Sequence, residues 1–278
     1  MKKKIAGLLA ILMCTGMIIG RDCAMAADRM EVSQKNIGAL YGEANPVKIE
    51  QEPEISAVMQ KFIYADVSSH VHFTQAQQEL LKLAVLVSSN TTEDLEAYIA
   101  GALQSGATAA EVRETIYQCT PYVGFPRVKE ALEKMHDVLF ESKGIKVPLA
   151  DNGTVDDSNR YDKGLAVQVG IFGDAIHKMS SSAPADQKHI NTYLSANCFG
   201  DYYTRQVLDL RQRELITFIA IASLGGCEPQ LKAHAAANIA VGNTRQDLLD
   251  AVTVALPYIG YPRTLNALGC INEIVPAK

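Results

Sequence analysis

The sequence lacks several features that mark common classes of protein. After the N-terminal MKKK it has no cluster of lysine and arginine residues, which argues against nucleic acid or an anionic membrane surface as a partner. It has no CxxC motif and no histidine–cysteine pair at zinc-finger spacing, so no metal site is expected. No run of four to eight residues alternates with the period of a strand between turn signals. These absences favour an all-α protein.

Cysteine is also sparse. Two of the six cysteines, Cys14 and Cys23, lie in the N-terminal segment, and the others are scattered at positions 119, 198, 227 and 270. Such spacing is not typical of a disulfide framework. The chain has 278 residues and is 48% hydrophobic, which is enough for one large domain or two ordinary ones with real cores.

The first 26 residues have the three parts of a secretory signal peptide. A basic MKKK precedes the apolar run IAGLLAILMCTGMIIG, and Ala24-Met25-Ala26 is a small-x-small cleavage signal. The apolar run is shorter than the roughly 20 residues that span a bilayer. We therefore expect export to the periplasm or the medium, with no membrane attachment after cleavage. Cleavage would change the net charge from −5 to −8, because four bases and one acid are lost.

The spacing of apolar residues predicts helices along the whole mature chain. Thr74 and Thr108 are predicted N-caps, and Glu111 stands at capping-box spacing from Thr108. A stretch rich in Gly, Pro, Asn and Asp at 143–160 predicts a linker. The predicted helices lie near 53–64, 74–89, 95–103, 108–119 and 128–140 in the first half, and near 164–177, 184–199, 209–224, 229–241, 244–258 and 262–274 in the second.

The two halves carry the same pattern. Glu79 lies 135 residues before Glu214, and from Leu95 onward the separation is 136, so that PYVGFPR in the first half matches PYIGYPR in the second. This predicts a signal peptide at 1–26, a first repeat at 27–142, the linker, and a second repeat at 161–278. Two tandem units indicate duplication into two similar helical bundles that pack on each other.

A family resemblance rests on three segments of the second repeat. The order GDYYTRQVLDLRQREL, LKAHAAANIAVGNT and PYIGYPRTLNAL resembles the carboxymuconolactone decarboxylase family, which shares its helical fold with the alkylhydroperoxidase D-like proteins. The resemblance covers nearly all of the mature chain, once per repeat. It implies a duplicated alkylhydroperoxidase D-like helical bundle, a small-molecule substrate, no cofactor, and a homo-oligomer in which three fused pairs form a ring.

The resemblance also implies which residues carry the chemistry. Glu214 and His234 match the glutamate and histidine of the family, and Cys227 matches the first cysteine of its peroxidase-like branch. Gln230 stands where that branch has its second cysteine, so a local disulfide cycle is not available. The decarboxylase branch, which needs no cysteine pair, is the better match.

In the decarboxylase interpretation, a dienolate formed by loss of carbon dioxide must be protonated by a positioned acid. The resemblance gives this role to His234, which Glu214 would orient. Arg205 would hold a substrate carboxylate through two parallel hydrogen bonds. Tyr203 and Asp201 would line the same wall of the site.

The first copy differs at most of these positions. Glu79 is kept, whereas Tyr98, His70, Thr91 and Ser68 stand in place of His234, Arg205, Cys227 and Tyr203. The loss of the histidine favours a degenerate first copy that acts as a structural partner. The alternative is a composite site, in which His70 or His72 meets residues of the second copy.

Three functions remain open on the sequence alone. The leading one is decarboxylation of a small carboxylated lactone or β-keto acid by His234 and Glu214. The predicted export argues against the substrate for which the family is named, because aromatic catabolism of that kind is expected in the cytoplasm. The second is thiol peroxidase activity through Cys227, which is otherwise an ordinary packing residue. The third is a helical scaffold or small-molecule binder without catalysis.

Overall fold

The computed structural model describes residues 29–91, 93–146 and 148–277, and within them all regular structure is helical. The predicted all-α, duplicated helical bundle is confirmed. The predicted signal peptide at 1–26 lies outside the described residues. Across the described ranges, no helix has the length and the apolar character that crossing a membrane requires.

The two copies contain matching series of helices. In the first copy they are α1 (29–41), α2 (Pro53–Lys61), the π-helix π1 (Phe62–Val67), α3 (Ser68–His70), α4 (Gln75–Ser89), α5 (Leu95–Gln104), α6 (Ala109–Val123) and α7 (Phe125–Lys143). In the second they are α8 (Arg160–Phe172), α9 (Ala175–Ser182), α10 (Lys188–Tyr193), π2 (Leu194–Tyr203), α11 (Leu210–Leu224), α12 (Glu228–Ala240) and α13 (Arg245–Ile274), which is kinked at Gly260.

Side-chain caps define where the long helices begin. Thr74 accepts a hydrogen bond from the backbone of Gln77, and Thr108 accepts one from Glu111, so both predicted N-caps are confirmed. Asp209 and Thr244 begin α11 and α13 in the same way. Each cap satisfies backbone N–H groups that would otherwise lack a partner, and is typically worth about 1 kcal/mol.

The second copy differs from the predicted helices in one region. The helix expected at 164–177 ends at Phe172, because Gly173 adopts a positive φ of 73° and the chain restarts as α9. The helix expected at 184–199 begins later, at Lys188, and continues through π2 to Tyr203. This region forms one wall of the cavity described below.

The chain divides into two compact units, Met1–Ser69 and His70–Lys278. In the described part of the first unit, Arg29 pairs with Asp66, and the side chain of Asn36 donates to the carbonyl of Tyr64 at 2.7 Å. The Tyr64 ring meets that of Tyr41 edge-on, with centroids 5.7 Å apart. These contacts join α1 to π1.

The second unit has one core built from both copies. Helix α4 of the first copy packs against α11 and α13 of the second, and α6 of the first copy packs against α11. Val85, Phe218, Ile219, Leu248 and Ala255 are fully buried there. Because the apolar faces of the two copies cover each other, neither has to leave its face in water.

Helix α8 and π2 approach each other unusually closely. A Cβ added at Gly164 would lie 2.0 Å from the carbonyl oxygen of Ser195, and one added at Gly200 would lie 2.3 Å from that of Arg160. Only glycine permits this approach. Arg160 also pairs with Asp201 across the contact. The packing determines where π2 presents its side chains to the site.

Candidate active site

A cavity of about 710 Å³ lies among α6, α8, α9, π2, α11 and α12 in the second unit. Most of its lining is apolar: Pro121, Tyr122, Phe172, Ala175, Ile176, Met179, Leu194, Phe199, Ile221, Leu224 and Ala233. The remaining lining residues are Gln168, Cys198, Cys227, Gln230 and His234. Neither lysine nor arginine occurs among these lining residues.

His234 and Glu214 form a dyad at the wall of this cavity. The Nδ1 atom of His234 lies 2.7 Å from Oε2 of Glu214, whose side chain is fully buried. The His234 side chain keeps 11% of its surface exposed and lines the cavity. As a carboxylate, Glu214 accepts a hydrogen bond from Nδ1–H, which leaves Nε2 as the nitrogen that exchanges protons with a ligand.

Two aromatic rings hold the imidazole in place. Tyr122 and Phe172 each meet the His234 ring edge-on, with centroids 5.5 Å apart and interplanar angles of 88° and 89°. Tyr122 belongs to α6 of the first copy, whereas Phe172 ends α8 of the second. The ring is therefore fixed by both copies as well as by its carboxylate partner.

Behind the dyad, a chain of hydrogen bonds ends on Glu214. The hydroxyl of Tyr203 donates to Oε1 of Glu214 at 2.9 Å. Because that hydroxyl has one proton, its oxygen accepts from the neighbouring hydroxyls of Tyr122 at 2.9 Å and Thr217 at 3.0 Å. Burial raises the pKa values of Tyr203 and Tyr122 well above their usual range, and the nearby Glu214 carboxylate and Cys198 thiol raise both of them further.

The chain continues into the first copy. Thr217 accepts from the amide of Gln118 at 3.1 Å, and Gln118 in turn accepts from the guanidinium of Arg213 at 3.0 Å. Arg213 is fully buried and contacts Glu114 at 3.3 Å. Burial lowers the pKa of Arg213, an effect that the charge of Glu114 opposes. The described residues thus link Arg213 to His234 through side chains of both copies.

Asn238 ties the backbones of α11 and α12 together beneath the dyad. Its amide donates to the carbonyl of Glu214 at 3.0 Å and to that of His234 at 2.7 Å. Its own oxygen accepts from Asn243 at 2.7 Å. All four of these residues are buried, so the dyad geometry rests on a hydrogen-bonded frame.

Two residues predicted to contact substrate lie elsewhere. The guanidinium of Arg205 donates to Glu114 from Nε at 3.0 Å and from Nη2 at 3.1 Å, and it stacks over Tyr117. Asp201 pairs with Arg160 instead of lining the cavity. The expected role of Arg205 as a clamp for a substrate carboxylate is therefore corrected. Its guanidinium is already bound by the buried carboxylate of Glu114 from the first copy.

The third predicted wall residue, Tyr203, does contact the dyad, although from behind it. Its side chain is 3% exposed and is not among the lining residues. Tyr203 therefore acts on Glu214 and not directly on a ligand in the cavity.

Cys227 is the N-cap residue of α12 and lines the cavity with partial exposure. Gln230, at the position of the missing second cysteine, lines the same cavity. Cys198 also lines it, but burial raises the pKa of the Cys198 thiol to about 12, and its sulfur lies 3.6 Å from the Tyr122 hydroxyl. The described residues contain no group of three or more His, Cys, Asp or Glu side chains able to hold a metal ion.

The matching location in the first copy has a different chemistry. Lys82, which stands at the position of Thr217, donates to Glu79 at 2.6 Å, and both side chains are buried. Tyr98 replaces the histidine and meets Tyr258 edge-on at 5.9 Å, as His234 meets Tyr122. The arrangement repeats the geometry of the second copy without its acid–base pair.

The composite site proposed through His70 or His72 is not formed at this cavity. His72 instead binds Asp250 through its backbone N–H at 2.9 Å and its Nδ1 at 3.0 Å, with a largely exposed ring. The first copy contributes Tyr122 and Pro121 to the cavity.

Sequence reasoning missed several residues behind the dyad, namely Glu114, Gln118, Tyr122, Arg213 and Thr217. Tyr122 belongs to the PYVGFPR segment, which on sequence alone served only to match the two copies. A signal was present in the repeat itself, since Thr217 matches Lys82 and Gln118 matches Val254. Polar differences at such buried helical positions show that the two copies are not chemically equivalent there.

Comparison with known proteins adds two findings. The model of the carboxymuconolactone decarboxylase family matches residues 53–137 and 190–273, once in each copy. The 4-carboxymuconolactone decarboxylase of Acinetobacter baylyi is 23% identical over 121 residues, which cover 43% of this chain and 90% of that protein. The two matched segments confirm two tandem copies.

Proposed function

The chain belongs to the carboxymuconolactone decarboxylase family, and from this premise we propose that it decarboxylates a small organic acid with His234 as the proton donor. The observation that carries the proposal is the dyad, in which Glu214 holds His234 at 2.7 Å while the imidazole faces a cavity of about 710 Å³. The related protein from Acinetobacter baylyi, which bears the name of a decarboxylase, supports the reaction class.

The reaction needs a carbonyl or lactone placed so that it receives electrons. The bond between the substrate carbon and its carboxylate breaks, its electron pair forms an enolate, and carbon dioxide leaves. Nε2–H of His234 then protonates the carbanionic carbon, and solvent returns the proton to the imidazole. Glu214 stabilises the protonated ring and keeps it oriented. The proposal requires no cofactor.

The first experiment measures carbon dioxide release by the mature protein from γ-carboxymuconolactone and a panel of β-keto acids. His234→Ala is expected to lower kcat/KM by a factor of about 10²–10⁴, the usual contribution of a positioned general acid. Glu214→Gln keeps an oxygen acceptor for Nδ1–H but loses the negative charge. We therefore expect kcat/KM to fall, but by less than in His234→Ala.

His136→Ala is the matched control, since His136 is a partly buried histidine on α7 that does not line the cavity. Its rate should equal that of the wild type. Wild-type turnover in His234→Ala would rule out the proposed role of the dyad.

A second candidate function rests on Cys227, which lines the same cavity as His234. Its thiolate would attack a hydroperoxide, break the O–O bond and become a sulfenic acid while an alcohol leaves. Because the high pKa of Cys198 keeps that thiol protonated, an external thiol would condense with the sulfenic acid and release water, and a second would reduce the disulfide.

Peroxide consumption with dithiothreitol as the external thiol tests this candidate. The rate should disappear in Cys227→Ser and persist in Cys270→Ser, whose cysteine does not line the cavity. Equal rates in wild type and Cys227→Ser would exclude it.

A further inference from the structure

The cavity has a chemical character that the family reaction does not explain. Eleven of its sixteen lining residues are apolar. The rings of Tyr122 and Phe172 meet that of His234, and Phe199 packs edge-on against Phe172. Its volume of about 710 Å³ lies in the upper part of the range of roughly 300–1,000 Å³ that holds drug-sized ligands.

No cation is available to a second carboxylate of a ligand there. Among the described residues that line the cavity there is no lysine or arginine. Arg205, the arginine expected to serve, is held by Glu114 through several hydrogen bonds, and Asp151 lies 3.5 Å from its Nη2. An ionised group placed against an apolar wall without a partner loses its hydration and gains nothing in return.

We propose that the ligand of this cavity is a largely apolar molecule with at most one carboxylate, in which an aryl group or a medium-length alkyl chain is joined to a β-keto acid. The ketone and its leaving carboxylate face His234, and the apolar body extends along other apolar lining residues such as Ile176, Met179 and Leu194. The reaction part of this inference rests on the proposed function, whereas the binding part does not.

Isothermal titration calorimetry on the mature protein tests the binding part with unreactive ketones. We expect 2-pentanone, 2-heptanone and 2-nonanone to bind with affinities that rise about fourfold for each methylene buried. The dianion 4-oxoheptanedioate should bind at least about tenfold more weakly than 2-heptanone, because it would bring two unpaired charges into the cavity.

Two variants place the binding in this cavity. Ala233→Phe fills space at its wall and should weaken 2-nonanone binding about tenfold or more, whereas Ala236→Phe alters an exposed residue of the same helix outside the lining and should leave binding unchanged. Met179→Arg adds a cation at a partly exposed position of the cavity wall. It should raise the affinity for 4-oxoheptanedioate relative to that for 2-heptanone.

The outcomes separate this inference from the proposed function. Chain-length-dependent ketone binding without carbon dioxide release supports the ligand class while the decarboxylase proposal fails. His234-dependent release of carbon dioxide together with equal binding of the dianion and 2-heptanone overturns the ligand class while the decarboxylase proposal stands. Ketone affinities that do not change with chain length also overturn it.

Discussion

At the scale of single residues, Glu214 is the point at which two sets of hydrogen bonds meet. His234 reaches it from the cavity side, and Tyr203 reaches it from the buried side. A carboxylate that accepts from both sides has little freedom to rotate, so the imidazole stays oriented before a ligand arrives. Such preorganisation is what a proton donor to a short-lived enolate requires.

The tyrosines behind the dyad stay neutral. Burial raises the pKa values of Tyr122 and Tyr203 well above the ordinary value for a phenol. They therefore keep their protons and remain hydrogen-bond donors at neutral pH. The network therefore changes little while the imidazole gains and loses its proton.

The buried thiols predict a loss of stability at alkaline pH. Burial raises the pKa values of Cys119 and Cys198 from 9.0 to about 12. Below pH 9 both the folded and unfolded chains hold these protons, so stability is unaffected. Above pH 9 the unfolded chain releases them while the folded chain does not, so the free energy of unfolding should fall by about 1.4 kcal/mol per pH unit for each thiol.

Urea denaturation at pH 7, 9 and 10 measures this slope under reducing conditions. Cys198→Ala should remove its share of the decrease between pH 9 and 10, and the double variant with Cys119→Ala should remove both shares. Cys270→Ala, at a thiol whose pKa is raised by less than those of Cys119 and Cys198, is the comparison and should retain most of the slope. An unchanged slope in the double variant would contradict the assignment.

At the scale of elements, the contact between α8 and π2 positions residues of the site. Phe172 belongs to α8, and π2 contains Cys198, Phe199 and Tyr203. It depends on glycine, since a Cβ at Gly164 would meet the backbone of Ser195 at 2.0 Å and that of Gly200 at 2.5 Å. Backbone atoms cannot move aside as the end of a flexible side chain can. The contact is therefore part of how the site is positioned.

Gly164→Ala should lower the free energy of unfolding by about 3 kcal/mol or more, because the helices must separate to admit the methyl group. Gly170→Ala on the same helix is the matched control, since nothing lies within 4 Å of the added Cβ. That control should be neutral or gain up to about 1 kcal/mol from the higher helix propensity of alanine. Thermal unfolding followed by circular dichroism compares the stability of the two variants. Equal melting temperatures would contradict the close packing of α8 against π2.

At the scale of the whole molecule, duplication has produced a division of roles within the second unit. The first copy keeps Glu79 but neutralises it with Lys82 at 2.6 Å, and it supplies Tyr122, Gln118 and Glu114 to the network of the other copy. The second copy holds the dyad and most of the cavity. The two copies are thus alike in backbone and different in chemistry.

The buried pair in the first copy should be structural. Lys82→Met removes the lysine that pairs with the buried Glu79 carboxylate and should cost about 3–5 kcal/mol of unfolding free energy. Adding Glu79→Gln should recover most of the loss, because the double variant buries no charge. Urea denaturation gives these values, and carbon dioxide release per folded molecule should match the wild type in the double variant. Loss of turnover there would show that the first copy takes part in catalysis.

We also propose that the mature protein is exported and that three chains assemble into a trimer. Phe125, Phe140, Tyr261 and Leu265 are each at least 60% exposed, and apolar surface of this kind often marks an interface. Light scattering should give three times the mass of the mature chain if fused pairs form a trimer.

N-terminal sequencing of protein from the periplasm or medium should begin at Ala27 if the signal is cleaved as expected. A monomer, or an intact N-terminus, would contradict the respective proposal.

Much of the fold was predictable because it depends on local sequence. The caps at Thr74 and Thr108, the glycine turns at Gly124 and Gly260 and the repeat spacing are all readable from neighbours along the chain. The break at Gly173 was missed, since the apolar spacing continues across it and only the backbone shows the positive φ. Of the site, the pairing of His234 with Glu214 followed from the family pattern.

The sequence by itself determined the helical periodicity and the duplication, because both depend on residue types at spacings along the chain, and its resemblance to the family indicated that Glu214 and His234 belong to one site. Only the tertiary structure decided that Glu114 removes Arg205 from the cavity and that Tyr122 of the first copy holds His234. Those partners lie 91 and 112 positions apart. Charge pairing and ring contact depend on distance in space, and residues so far apart meet only through the packing of α6 between α11 and π2.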